Sequence, residues 1–268
     1  MTRSSIPVDL GAQIDLIGAL EPISIEAVPA APNGGSARLP RQASITLRTF
    51  SRYMRTSMPG RLARRLAMRS GRYALARRAT AVFVTFAAAD TLLAATGHDR
   101  QRWLTKPLLM PVLMAGRDRS AQRALALGGA GDVALLGSSQ IAFTAGLASF
   151  LAGHVAWIIA LRQRPGGGRL RARPALAAPH VAAFGALNAY LWKRTGRDRI
   201  PVIVYSTALL AMSLVALDSG SPRTAAGGAL FLASDALLAL EKFGGLHWPA
   251  HEGLVMATYT SAQALLAG

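Results

Sequence analysis

Long apolar segments recur along most of this chain and constrain its fold more than any other feature. Short arginine-rich stretches such as RQRPGGGRLRARP at residues 162–174 separate them. Several segments approach the roughly 17–25 residues that a helix needs to cross a bilayer. Helices are expected because they satisfy every backbone amide in lipid and because the alternating pattern of a barrel strand is absent. The sequence therefore predicts an all-α fold, a polytopic membrane helix bundle of about eight transmembrane helices. The eight segments are residues 79–96, 103–116, 121–137, 141–161, 175–192, 200–217, 224–240 and 250–267.

The charges of the chain lie between the apolar segments and are mainly positive. Only 16% of the 268 residues are charged, yet the formal net charge is +17. No motif for nucleic-acid binding accompanies the arginines, so we expect them to contact anionic lipid headgroups and not nucleic acid. The chain has no cysteine, which excludes disulfides, zinc–thiolate sites and cysteine nucleophiles.

The sequence before the first apolar segment divides into two parts. Residues 1–60 lack a sustained apolar period, and we interpret them as a disordered N-terminal extension. No cleavable signal peptide is expected there. Residues 61–78 carry seven arginines and form a basic juxtamembrane segment, either a helix on an anionic membrane surface or a solvated linker. Residues 79–268 form the predicted transmembrane domain.

The basic residues that flank the segments predict the orientation in the membrane. With the N-terminus inside, sixteen basic residues fall on the cytoplasmic side and seven on the other side. The basic loop at residues 193–199 is a local exception. This asymmetry favours a cytoplasmic N-terminus and C-terminus. We expect an integral protein of a bacterial plasma membrane.

Two aspartates interrupt the apolar segments at matching positions. Asp132 and Asp235 each lie eleven residues after the start of their segment, roughly 16 Å along a helix. A carboxylate in hydrocarbon is costly, so such a residue indicates a functional site; alternatively, Asp132 is the solvated end of a short buried helix. Glycines near both aspartates predict that the third and seventh spans pack together. The two carboxyls then face one cavity, also lined by Lys106.

Five further polar side chains are candidates for binding or supporting a substrate. Lys106 lies in WLTKPLLMP, a short segment that Pro107 and Pro111 are expected to interrupt, and such segments tend to line sites. The alternative for each candidate is structural: the lysine extends to the membrane surface, and a lone histidine or asparagine bonds a neighbouring helix. The candidates are Lys106, His154, Tyr205, Asn188 and Lys242.

Four short motifs resemble successive signatures of the YhhN family, in that family's order and spacing. They are TKPLLMPVLM, GDVALL, GLASFLAGHVAW and ASDALLALEKF, and the resemblance covers roughly residues 80–267. Animal members of the family are lysoplasmalogenases, so the resemblance implies hydrolysis of a lysophospholipid's vinyl ether to a fatty aldehyde and a glycerophospho-alcohol. It also implies that Asp132 and Asp235 are the catalytic acids.

The chemistry of a vinyl ether fits a pair of buried carboxyls. One neutral acid protonates carbon, while the other carboxylate stabilises the cation and takes a proton from water. We expect neither metal nor other cofactor, because the segments lack a tight cluster of histidines and carboxylates. Two other functions fit the same residues. A proton-coupled transporter of solutes or lipids also uses paired acids, and a lipid-binding protein without catalysis uses them only to bond helices.

Overall fold

The structure, a computed structural model, describes residues 60–268, apart from the side chains of residues 60–66 and 69. The prediction of disorder for residues 1–60 therefore concerns a segment outside the described residues, save for Gly60. The described part is helical and contains no strand, which confirms the all-α class. Its helices are α1 (Gly60–Ala95), α2 (Asp99–Met114), α3 (Arg119–Ala134), α4 (Gln140–Arg162), α5 (Arg169–Ala172), α6 (Ala178–Leu191), α7 (Arg199–Asp218), α8 (Pro222–Lys242) and α9 (His251–Ala267).

Eight of these helices coincide with the eight apolar segments, and α5 is a single turn in a basic loop. Four helical stretches have the length and apolar composition to cross a membrane. The chain is thus an integral membrane protein, while a total of eight spans stays a prediction. The four stretches are Ser70–Ala95, Gln140–Arg162, Gly196–Asp218 and Pro222–Lys242. Helix α1 is continuous from Gly60, so the basic juxtamembrane segment and the first span belong to one helix.

Polar side chains before apolar runs fix where several helices begin. Asp118 accepts hydrogen bonds from the backbone amides of Ser120 and Ala121 at the start of α3. Ser139 and Ser221 accept amide hydrogen bonds in the same way at the starts of α4 and α8. Each cap satisfies amides that have no partner within the helix.

The two prolines of α2 do not interrupt it, contrary to the sequence-based expectation. Helix α2 is continuous from Asp99 to Met114 through Pro107 and Pro111. Prolines inside membrane helices are tolerated where neighbouring helices pack around the freed carbonyl groups. Helix α2 packs against both α1 and α3.

Seven helices of the described chain pack in a closed ring. The order around the ring is α1, α2, α3, α4, α7, α8 and α9, and α9 packs back on α1. Helix α6 lies outside the ring against α7 and α8. The ring surrounds a buried core that includes Phe83, Leu109, Trp157, Met212 and Phe231.

The glycines of α3 and α8 contact other helices than those predicted. A Cβ atom on Gly131 would lie 2.6 Å from the Phe150 ring of α4, and one on Gly128 would lie 2.9 Å from Gln263 Nε2 of α9. A Cβ atom on Gly227 would lie 3.1 Å from the Ala262 carbonyl of α9. Close packing of α3 directly on α8 through these glycines was therefore a wrong prediction, because the glycines of α3 face α4 and side chains of α9, while Gly227 of α8 faces the backbone of α9.

Candidate active site

A polar cavity lies inside the helix ring and contains most of the candidate residues. Its volume is about 220 Å³. Asp132 and Asp235 each lie thirteen residues after the first residue of their helix, Arg119 and Pro222. The two aspartates therefore lie equally far along their helices, as expected from the sequence, although α3 and α8 do not pack on each other through their glycines. The polar side chains that line the cavity are Arg102, Lys106, Asp132, Tyr205, Ser234, Asp235, Glu241, Glu252 and Tyr259.

Asp132 is buried in the last turn of α3, with only 2% of its surface exposed. It lies at the end of a short helix but is not solvated. The Lys106 Nζ atom of α2 lies 3.7 Å from Asp132 Oδ1, and the Tyr259 hydroxyl donates to Oδ2 at 2.7 Å. Lys106 is itself buried and points into the cavity. Both groups favour a charged carboxylate at Asp132.

A chain of buried hydrogen bonds holds the Tyr259 hydroxyl in place. Gln263 Nε2, one turn further along α9, donates to this hydroxyl at 3.2 Å. Trp157 Nε1 of α4 donates to the Gln263 Oε1 atom at 3.1 Å. All three side chains are buried, so they fix the orientation of the Asp132 carboxyl in the cavity.

Asp235, on α8, has different neighbours from those of Asp132. The Tyr205 hydroxyl of α7 makes a short hydrogen bond to Asp235 Oδ2. His154 Nε2 of α4 lies 3.1 Å from the same hydroxyl and 3.8 Å from Asp235 Oδ2. The imidazole is 1% exposed and packs edge-on against Phe231 at 4.8 Å between ring centroids. The three polar groups therefore form one hydrogen-bonded cluster at Asp235.

One end of the polar cavity is lined by a charged cluster around Arg102, a residue that lies between the first two predicted segments. Arg102, in the first turns of α2, is 7% exposed. Its guanidinium lies 2.6 Å from Glu252 Oε2 of α9 and 3.7 Å from Asp90 Oδ2 of α1. Asp90 is fully buried and also accepts from Thr105 at 2.6 Å. Arg102 thus joins three helices at this end of the cavity.

Two predicted candidates lie away from the paired carboxyls. Asn188 of α6 donates to the Phe184 carbonyl at 2.9 Å and accepts from Ser206 at 3.2 Å, so its bonds are structural. The Lys242 ammonium at the end of α8 lies 4.1 Å from the centre of the Phe143 ring. Neither side chain lines the polar cavity. Helix α6 lies outside the ring, which explains the position of Asn188.

A second cavity, almost entirely apolar, lies beside the polar one between α4, α6, α7 and α8. Asn188 and Lys242 line this second cavity. Leu135, Phe150, Tyr205, Asp235 and Leu238 line both cavities. The Asp235 carboxyl therefore lies where a polar space meets an apolar one.

The residues that line the cavity or hold its groups but were not among the candidates include Tyr259, Gln263 and Arg102. Tyr259 and Gln263 lie four residues apart on α9 and therefore share one helix face. A pair of polar residues at this spacing in an apolar segment is the signal that identifies them. Arg102 carries no such signal, because the predicted apolar segment begins at residue 103 whereas α2 begins at Asp99. No group of histidines and carboxylates suited to a metal ion occurs among the described residues.

The four sequence motifs lie on α2, α3, α4 and α8, which contribute side chains to this site. The model of the YhhN family matches residues 101–268, more than half of the chain. Neither the curated proteins nor the solved structures gave a significant match. The matched range contains all four motifs and every side chain that contacts the two carboxyls. The chain belongs to the YhhN family.

Proposed function

We propose that the protein is a membrane-embedded hydrolase that cleaves the vinyl ether of lysoplasmalogens to a fatty aldehyde and a glycerophospho-alcohol. The main support is that Asp132 and Asp235 line one cavity inside the helix ring but have unlike neighbours. Cleavage of a vinyl ether needs a neutral acid and a carboxylate in the same site. Two carboxyls sheltered from bulk water meet this need, because one of them is more readily kept neutral.

Asp235 is the proton donor in this proposal and Asp132 is the carboxylate. The Lys106 ammonium lies 3.7 Å from Asp132 and compensates its negative charge. Among the described residues, no lysine or arginine lies within ion-pair distance of Asp235, whose neighbours are the Tyr205 hydroxyl and His154. The proposal therefore gives the charged role to the aspartate that has the ammonium and the donor role to the other.

The reaction begins with transfer of the Asp235 proton to the vinyl carbon remote from the ether oxygen. The carbon attached to oxygen then carries an oxocarbenium charge, which the Asp132 carboxylate stabilises. Water adds to this carbon and gives one proton to Asp132. The product is a hemiacetal, with Asp235 now ionised and Asp132 now neutral.

Collapse of the hemiacetal restores both carboxyls. The hemiacetal hydroxyl gives its proton to Asp235 as the carbonyl forms, and Asp132 protonates the departing glycerol oxygen. One water is consumed, the carbon–oxygen bond breaks, and aldehyde and alcohol leave. The Tyr205 hydroxyl and His154 keep Asp235 correctly oriented through both steps, and no cofactor is required by this proposal.

The substrate in this proposal is a lysophospholipid taken from the surrounding membrane lipids. The protein resides in a bacterial plasma membrane with both termini in the cytoplasm, as the arginine asymmetry favours. A lipid substrate suits an active site inside a ring of membrane helices, because the molecule reaches it without leaving the bilayer.

Incubation of the purified protein with three matched lipids tests the proposal. They are a lysoplasmalogen, its ester analogue and its saturated ether analogue. We expect aldehyde from the first lipid, no free fatty acid from the second and no product from the third. Deuterium from the solvent should appear on the carbon beside the aldehyde. Movement of a solute or lipid across a vesicle membrane, without aldehyde release, would instead identify a transporter and contradict the proposal.

A further inference from the structure

The apolar cavity, called the slot below, is the smaller of the two cavities. Its volume is about 90 Å³, less than half the 220 Å³ of the polar cavity. It extends along α8 from Leu232 to Phe243, roughly 16 Å at the rise of an α-helix. Leucine, phenylalanine, valine and alanine form most of its wall. The slot is therefore suited to a hydrocarbon chain.

The slot and the polar cavity meet at one catalytic group of the proposed reaction. Asp235 and Tyr205 line both spaces. A molecule that occupies both spaces must therefore have a polar part, an apolar part and a junction that passes Asp235. In a lysophospholipid with a vinyl ether, the reactive bond is itself that junction.

We propose that the slot is the binding site for the single hydrocarbon chain of the lipid substrate, an inference that rests on the proposed function. The first carbons of the chain lie beside Asp235, and later carbons lie beside Ala239, one helical turn further along α8. The length of the slot thus sets the chain length that is cleaved best.

Ala239→Trp tests this assignment, because a large ring at this position fills the slot beyond the reactive bond. We expect kcat/KM for a lysoplasmalogen with a hexadecenyl chain to fall by about tenfold or more relative to a butenyl one, which ends before Ala239; a change of this size is what hydrophobic pockets give. Ala233→Trp is the matched control, since Ala233 lies on α8 but is exposed and lines neither cavity. Its dependence on chain length should equal that of the unaltered protein.

Ala183→Trp supplies a second blocking variant in case the first does not fold. Ala183 is an exposed residue of α6 in the opposite wall of the slot, so a tryptophan is accommodated there without changing the ring. The same loss of activity on the long chain is expected. Equal chain-length dependence in a folded blocking variant and in the unaltered protein would overturn the assignment.

A second measurement separates this inference from the proposed function. A saturated ether lysophospholipid with a diazirine in its chain is not cleaved, and light attaches it to neighbouring residues. We expect labels on α6 and α8 that an excess of unlabelled lipid removes and that Ala239→Trp reduces. Such labelling without aldehyde release from any lipid would support the slot and reject the hydrolase. Aldehyde release with unchanged labelling in a folded Ala239→Trp protein would reject the slot alone.

Discussion

Asp132 and Asp235 have the same side chain but different surroundings, and these surroundings decide the proposed roles. Asp132 has an ammonium 3.7 Å away and a phenol 2.7 Å away. Asp235 has a phenol and an imidazole. The first set includes an ammonium, whose positive charge compensates a carboxylate. Removing one of these side-chain groups at a time tests the proposed roles.

Asn at either aspartate should remove most of the turnover and leave the protein folded. Asparagine matches the carboxyl in shape but neither donates an acidic proton nor carries charge. General acid and base roles contribute about 100- to 10,000-fold each, so kcat/KM for aldehyde release should fall by that range for Asp132→Asn and Asp235→Asn. The double variant should lose much less than the product of the two single losses.

Asp198→Asn serves as the control for these variants, because Asp198 lies between α6 and α7 and lines neither cavity. Its turnover and thermal midpoint should match those of the unaltered protein. Aldehyde release near the unaltered rate from a folded double variant would show that other residues carry the reaction.

Tyr259→Phe should weaken catalysis without removing it. The variant deletes the 2.7 Å hydrogen bond to Asp132 and leaves the Gln263 amide without its acceptor. Hydrogen bonds to charged groups contribute about 1.5–3 kcal/mol, so we expect kcat to fall by roughly tenfold to a hundredfold. Tyr73→Phe, on an exposed tyrosine of α1, should leave kcat unchanged. An unaltered kcat for Tyr259→Phe would exclude a role for this hydroxyl in positioning Asp132.

The sequence identified the two aspartates and Lys106 because charges in apolar segments are costly and therefore conspicuous. It does not show that Lys242 and Asn188 line the apolar cavity and not the polar one, since hydropathy does not show which face of a helix points into the ring. The position of α6 outside the ring depends on packing between distant helices, which no local pattern encodes. The sequence shows Tyr259 as a polar residue within its apolar segment, but it does not show that the phenol reaches Asp132 on another helix.

At the scale of elements, the eight apolar segments predicted eight of the helices within a few residues, apart from the longer start of α1. The partners of each helix were less predictable. The expectation that α3 and α8 pack through their glycines failed because glycines permit close approach without specifying which helix approaches. Helix α9 contacts glycines of both, and its Tyr259 reaches the cavity.

Arg102→Met tests how much the charged cluster holds α1, α2 and α9 together. Removing one member of a buried ion pair leaves the other charge without compensation and costs about 3–5 kcal/mol. Asp90 is fully buried and would keep only its hydrogen bond from Thr105. The thermal midpoint of the purified protein should therefore fall, and adding Asp90→Asn should restore part of the loss.

Arg100→Met is the matched control, because Arg100 is an exposed residue two positions earlier in α2. Its thermal midpoint should stay close to that of the unaltered protein. Equal midpoints for Arg102→Met and Arg100→Met would show that the cluster contributes little to the assembly of the three helices.

At the scale of the whole described chain, several helix ends gather on one side. Arg117, in the turn between α2 and α3, donates to the Thr80 hydroxyl at 2.6 Å and to the Gly268 carbonyl. Ser120 donates to Gln163 at the end of α4 at 2.7 Å. Burial and the nearby Arg164 and Arg223 lower the pKa of the Arg117 guanidinium from its usual value. The repulsion indicates a concentration of positive charge, as expected at a cytoplasmic membrane face.

Labelling of single introduced cysteines tests the orientation. The chain has no cysteine of its own, so each introduced thiol reports one position. In intact cells, Arg171→Cys and Gly268→Cys should resist a membrane-impermeant reagent, while Arg100→Cys and Arg197→Cys should react. Disrupted cells should label all four positions. Labelling of Arg171→Cys but not of Gly268→Cys in intact cells would contradict the prediction that both positions lie on the cytoplasmic side.

The hydrogen-bond chain from Trp157 to Asp132 gives the protein an internal optical probe. Trp157 is 1% exposed, whereas the other three tryptophans, Trp103, Trp192 and Trp248, are 38–52% exposed. A quencher dissolved in lipid or water therefore suppresses the emission of those three before that of Trp157. The remaining light comes from an indole linked through Gln263 and Tyr259 to the carboxyl at the centre of the site. Changes of charge or hydration at Asp132 consequently reach the fluorescence spectrum without any attached dye.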